Sequence, residues 1–228
     1  MVFHMFSTKS KNDEIVITLH GLGNTSLHMW RMARACRQNG YDTANWTYNT
    51  LRGGIADQMA RLARRLPELQ GYKKVHGIGH SLGGLMLRGL FTRYAGQLPL
   101  GRLVMIGSPN QGASILRRQP WLIRASFVGR PILTDLTQGS AAIAALGLPP
   151  VEVGVIAGVS ANNPVNPISW INRYMLGDVP SDGTVEAAHT HLPGMKDYLE
   201  LPVNHVALPW NREVIDSSLR FIKTGAFR

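Results

Sequence analysis

The chain has 228 residues, within reach of a single hydrophobic core, and its 44% hydrophobic and 17% charged content excludes a disordered polymer. One cysteine, Cys36, cannot form an internal disulfide, so nothing marks an oxidising compartment. The net charge of +10 admits peripheral contact with an anionic membrane, but the basic residues are scattered and no nucleic-acid-binding motif accompanies them, so no nucleic-acid partner is expected.

Residues 1–14 lack the 7–15 residue apolar run of a signal peptide. No apolar stretch approaches the ~20 residues of a membrane span, and the expected location is the cytoplasm. The first strand is expected at Ile15–Leu19, which is β-branched and apolar, and it runs into His20-Gly21-Leu22-Gly23. A helix over Ser26–Gln38 closes at Gly40, and a second strand follows over Asp42–Tyr48. Ile55, Met59, Leu62 and Leu66 recur at helical spacing, with Pro67 expected to end that helix.

Lys74–Gly79 reads as the third strand and Ser81–Tyr94 as the helix after it. Further strands are expected at Arg102–Ile106, Val151–Ala157 and Tyr198–Val203, with a closing helix over Glu213–Ile222. Strands alternating with helices imply crossover units, hence an α/β fold: a mostly parallel sheet of about six strands flanked by helices on both faces. The whole of 1–228 is expected to be one domain. Residues 113–150 and 160–180 break the alternation and read as cap or lid insertions over the carboxyl edge of the sheet, where ligands bind in open α/β folds. Their apolar side chains, Trp121, Leu122, Ile123, Phe127, Trp170, Tyr174 and Met175, suit an acyl pocket or a small satellite core equally well.

Gly79-His80-Ser81-Leu82-Gly83 sits between an apolar strand and a long helix. A bare Gly-x-Ser-x-Gly match is weak, but this context is that of a strained strand–turn–helix exposing a nucleophilic serine. A side chain at Gly79 or Gly83 would collide with neighbouring backbone in so tight a turn. The bland alternative for Ser81 is a helix N-cap. The oxyanion that such chemistry develops needs preorganised N–H donors, and the backbone N–H groups of Leu22 and Leu82 are the candidates.

His20-Gly21-Leu22, then Gly79-His80-Ser81-Leu82-Gly83-Gly84, then Ser108-Pro109-Asn110-Gln111-Gly112 together resemble the bacterial lipase/esterase branch of the α/β-hydrolase superfamily, in a compact form lacking its first two strands. The resemblance implies a serine hydrolase of carboxylic esters, acting through an acyl-enzyme on a small or lipid-like ester. It also implies the order Ser, then acid, then His. His205, between the last strand and the closing helix, occupies the family's histidine position, with His191 in reserve and His189 a weaker choice. Asp182, in Asp182-Gly183-Thr184-Val185, resembles the family's acid motif; Asp178 is its nearest competitor, and Asp135 and Asp197 fit the order less well. His189 and His191 lack further ligands at metal-binding spacing, so neither metal nor cofactor is expected. An acyltransferase or amidase using the same three residues, or a non-catalytic basic module, are the alternative readings.

Overall fold

The computed structural model describes residues 12–118, 129–161 and 179–228. Its sheet has six strands, all parallel: β1 (Glu14–Leu19), β2 (Asp42–Trp46), β3 (Lys74–His80), β4 (Leu100–Ile106), β5 (Val153–Gly158) and β6 (Asp197–Leu201). The order across the sheet is β2-β1-β3-β4-β5-β6. The chain therefore starts near one side of the sheet, steps outward to β2 and returns past β1 to β3. That reversal between β1 and β3 is the point at which loops splay apart and leave a crevice at the carboxyl edge.

Side chains of a strand alternate between faces, and both faces here are apolar. On β4, Leu103 and Met105 join one core, while Val104 and Ile106 join the other. The first core is closed by α2 (Ile55–Ala63) and α3 (Leu82–Arg93), through Met59, Leu62, Leu85 and Phe91. The second is closed by α1 (Trp30–Gln38) and α7 (Arg212–Thr224), through Met32, Cys36, Val214 and Phe221. Burial pushes the Cys36 thiol up to about 12.

Among the described residues, three short helices follow β4: α4 (Ser114–Arg118), α5 (Pro131–Asp135) and α6 (Ala141–Ala144). Ile132, Leu136, Ile143 and Leu146 are buried in the same core as α2 and α3, so this part of the 113–150 segment covers the sheet, while Ala113 and Ile115 at its start form a small cluster of their own. Trp121, Leu122, Ile123, Phe127, Trp170, Tyr174, Met175 and Asp178 lie outside the described residues.

Several strand and helix ends lie one or two residues from expectation, as where β6 stops at Leu201 and not Val203, and two helical boundaries differ in kind. The helix beginning at Ile55 ends at Ala63, not at Pro67, because the Arg65 N–H turns back to the Leu62 carbonyl and tightens the last turn. Pro67 instead sits early in a separate 3-10 turn, Leu66–Leu69, where its missing N–H costs nothing. The helical stretch at Ser26 likewise begins as a 3-10 turn, Ser26–Met29, before α1.

Candidate active site

Ser81 connects β3 to α3 and is the one described non-glycine residue with positive φ, at 53°. Such a conformation is sterically costly and persists only when the surroundings enforce it. Here the Ser81 N–H donates to the Ile106 carbonyl at 2.8 Å, and the neighbouring turn has no room to relax. A Cβ on Gly79 would strike the backbone of Gly83 and Gly84, and one on Gly83 the backbone of Leu19 and His20. Ser81 occupies the N-cap position of α3, yet its side chain makes no capping hydrogen bond. Its hydroxyl points elsewhere.

That hydroxyl lies 3.1 Å from Nε2 of His205. Nδ1 of the same ring lies 2.6 Å from Oδ2 of Asp182. Because the carboxylate only accepts, Nδ1 carries the proton and Nε2 is left to accept from Ser81. Asp182 is itself held: its Oδ1 accepts from the N–H groups of Thr184 at 2.9 Å and Val185 at 2.8 Å, and its carbonyl accepts from the His205 N–H at 2.9 Å. Gly183, at φ 88°, lets the acid loop close on itself. Space for the pair comes from Gly107 and Gly158, at the ends of β4 and β5: a Cβ on Gly107 would lie 3.1 Å from Oδ2 of Asp182, and one on Gly158 2.7 Å from its Cβ.

The competing candidates are engaged in other ways. Oδ2 of Asp135 accepts from the Ile55 N–H at 2.8 Å and caps the start of α2. Asp197 accepts from the N–H of Tyr198 and that of Phe227, tying β6 to the C-terminus. His189 lies 3.3 Å from Glu186 and 3.0 Å from Gln138, and His191 packs on the Tyr198 ring. Among the described residues no cluster of His, Cys, Asp and Glu has the form of a metal site.

The turn after β1 reaches the same place. A Cβ on Gly21 would sit 3.0 Å from that of Ser81, so the 21–22 backbone runs directly against the serine. Leu82 opens α3 and has no carbonyl one turn earlier in the helix for its N–H. The Pro109–Gly112 turn is closed by the Gly112 N–H on the Pro109 carbonyl at 2.9 Å and anchored by buried Asn110, which donates to the Thr190 carbonyl at 2.8 Å. A cavity of about 240 Å3 opens beside Ser81, with an apolar wall of Leu22, Ala113, Ile115, Leu116, Leu136 and Val185.

Two histidines that sequence reasoning passed over complete the surroundings. Nε2 of His80 donates to the His205 carbonyl at 3.0 Å, and Nε2 of His28 donates to the adjacent Val206 carbonyl at 3.0 Å. Burial, reinforced by the neighbouring histidines, holds the His80 imidazole well below its ordinary value and lowers that of His28 too. His80 was visible only as the variable position in a motif. His28 carried no signal at all, since its partner is 178 residues away.

A family model described as palmitoyl protein thioesterase matches residues 11–146. No curated protein matches the chain. Among solved structures, the mature form of lipase BlEst2 from Bacillus licheniformis superposes with a TM-score of 0.71 at 19% identity, over 92% of this chain and 91% of that one. The chain spans 46% of the same lipase in its propeptide form. EstA from Clostridium botulinum gives a TM-score of 0.65 at 13% identity, over 95% and 88% of the two chains, and the lin2722 product of Listeria innocua gives 0.60 at 21%, over 92% and 93%. At these identities the likeness is one of fold, and the fold is that of the α/β-hydrolases.

Proposed function

Because the chain belongs to the palmitoyl protein thioesterase family and is a hydrolase of carboxylic esters, we propose that Ser81 is its nucleophile, His205 its general base and Asp182 the carboxylate that orients the base. The observation that carries this reading is the unbroken chain of contacts from Asp182 Oδ2 through the His205 ring to Ser81 Oγ, at 2.6 and 3.1 Å. The matched family segment ends at residue 146, so the acid and the base rest on this geometry together with the motif resemblance around Asp182 and His205.

In the proposed cycle His205 Nε2 takes the Ser81 proton as Oγ attacks the carbonyl carbon. The negative charge that develops on the carbonyl oxygen is met by the N–H groups of Leu22 and Leu82, which the Gly21 turn and the helix start hold beside Ser81. His205 then hands its proton to the leaving alcohol or thiol, and the acyl group stays on Ser81. Water, deprotonated by the same imidazole, releases the acid. Asp182 stays ionised throughout and stabilises the imidazolium.

The apolar wall from Leu22 to Leu136 suits the acyl part of a lipid-like ester or thioester. A cytoplasmic setting goes with this proposal on the sequence reading alone, to which the single, buried, free thiol of Cys36 is suited.

The test is labelling with a fluorophosphonate probe alongside turnover of a nitrophenyl ester. Ser81→Ala is expected to lose labelling and at least about 10³-fold of turnover while keeping its circular dichroism. Unchanged turnover in that variant overturns the assignment.

A further inference from the structure

We propose that the face formed by Leu27, Trp30, Arg31, Val206 and Trp210 docks on an anionic lipid surface and brings the mouth of the Ser81 cavity to it. The inference rests on the reading of Ser81 as the nucleophile only for its purpose, not for the docking itself.

Large apolar side chains are seldom left in water together. Here Leu27 is 74% exposed, Val206 48%, Trp210 44% and Trp30 42%. They come from two distant stretches that the fold makes neighbours. Nε1 of Trp210 donates to the His28 carbonyl at 2.7 Å, and the His28 ring donates to the Val206 carbonyl. The Arg31 guanidinium stands 5.7 Å from the Trp30 ring and 5.8 Å from the Trp210 ring, a cation held between two indoles.

The face is continuous with the site. His28 and Val206 both line the cavity beside Ser81, and Val206 directly follows His205. Indole rings settle at the boundary between headgroups and acyl chains, and an arginine reaches from there to phosphate.

Charge selects the lipid. Between Glu14 and Asp42 the sequence has three arginines, Arg31, Arg34 and Arg37, and no acidic residue, and all three are exposed. Residues 202–211 include no Asp, Glu, Lys or Arg. An apolar aromatic rim with arginines behind it fits a bilayer bearing anionic headgroups.

The experiment is co-sedimentation with phosphatidylcholine vesicles, with and without an equimolar share of phosphatidylglycerol. Wild type is expected to sediment with the mixed vesicles and to stay in solution with the neutral ones. Replacing Leu27 and Trp30 together by serine should weaken binding at least about tenfold, and Arg31→Ala roughly fivefold. Lys223→Ala, a control on α7, should bind as wild type, and all these variants should turn over a water-soluble short-chain ester normally. The proposal is overturned if wild type ignores the mixed vesicles, if the Leu27/Trp30 variant binds them undiminished, or if Lys223→Ala weakens binding as much. Retention on an acidic protein or on RNA without vesicle binding overturns it as well. Ser81→Ala should bind vesicles fully; if it also keeps its ester turnover, the catalytic assignment fails while the docking result stands.

Discussion

The imidazole of His80 donates its Nε2 proton to the backbone carbonyl of His205 at 3.0 Å, with the two rings 4.7 Å apart. The residue before the proposed nucleophile thus holds the main chain of the proposed base, across 125 positions of sequence. His28 does the same for the next carbonyl. Between them they fix the loop that presents Nε2 to Ser81.

His80→Phe keeps the ring but leaves the His205 carbonyl without its donor. The expected outcome is a fall in kcat of about tenfold with KM little changed, and a loss of about 1–3 kcal/mol in stability from the unpaired buried group. His80→Gln, whose amide N–H can still donate, should recover part of the kcat. Steady-state kinetics and thermal melts check both. A rise in KM with kcat intact would mean that His80 serves substrate binding instead.

Stability should also depend on pH in a defined direction. His20, His28, His76 and His80 all have imidazoles lowered below the ordinary 6.5, in each case chiefly by burial. The folded state therefore binds fewer protons than the unfolded one once pH drops below that value, and stability rises with pH there. Melting temperature should be level above about pH 7.5 and fall as pH descends from 6.5, with each histidine adding at most about 1.4 kcal/mol per pH unit. His80→Gln should make that slope shallower. An unchanged slope would show that His80 does not titrate differently in the two states.

Ser81 can be used to measure the strain at its turn. Its φ of 53° and ψ of −122° suit glycine far better than any residue bearing a Cβ. Ser81→Gly and Ser81→Ala should both be inactive, but the glycine variant should be the more stable of the two by about 1 kcal/mol, despite its greater unfolded-state entropy. Chemical denaturation of the pair decides this. An alanine variant as stable as the glycine one would mean the turn relaxes without cost.

Gly107→Ala probes the space behind the Asp182–His205 pair. The new methyl would lie 2.8 Å from Leu208, 3.1 Å from Oδ2 of Asp182 and 3.4 Å from Nδ1 of His205, at a φ of 56° that alanine resists. Activity is expected to drop at least about 10²-fold through misplacement of the base, with a stability loss of about 1–3 kcal/mol. Wild-type turnover in this variant would show that the pair tolerates displacement.

Much of the architecture is written locally. The apolar runs of β1, β4 and β5 mark buried parallel strands because both of their faces are covered. The turn at Ser81 was legible because its glycines are needed within five residues of chain, and the turn at Leu22 because it ends the first strand. Boundaries were less legible: Ala63, not Pro67, ends α2, since a helix terminus depends on which carbonyl the last N–H finds.

What sequence could not decide was which distant groups meet. Motif resemblance favoured His205 over His191 and Asp182 over Asp135, but nothing local distinguishes a histidine that reaches Ser81 from one that packs on Tyr198. Nor does it separate an aspartate facing an imidazole from one that caps α2. The support from His80 and His28, the room left by Gly107 and Gly158, and the meeting of Trp30 with Trp210 around Arg31 were decided only in three dimensions. Periodicity and turn chemistry act over a few residues. Proximity across 124 residues, as between Ser81 and His205, is set by strand order, register and packing, which the whole chain settles together.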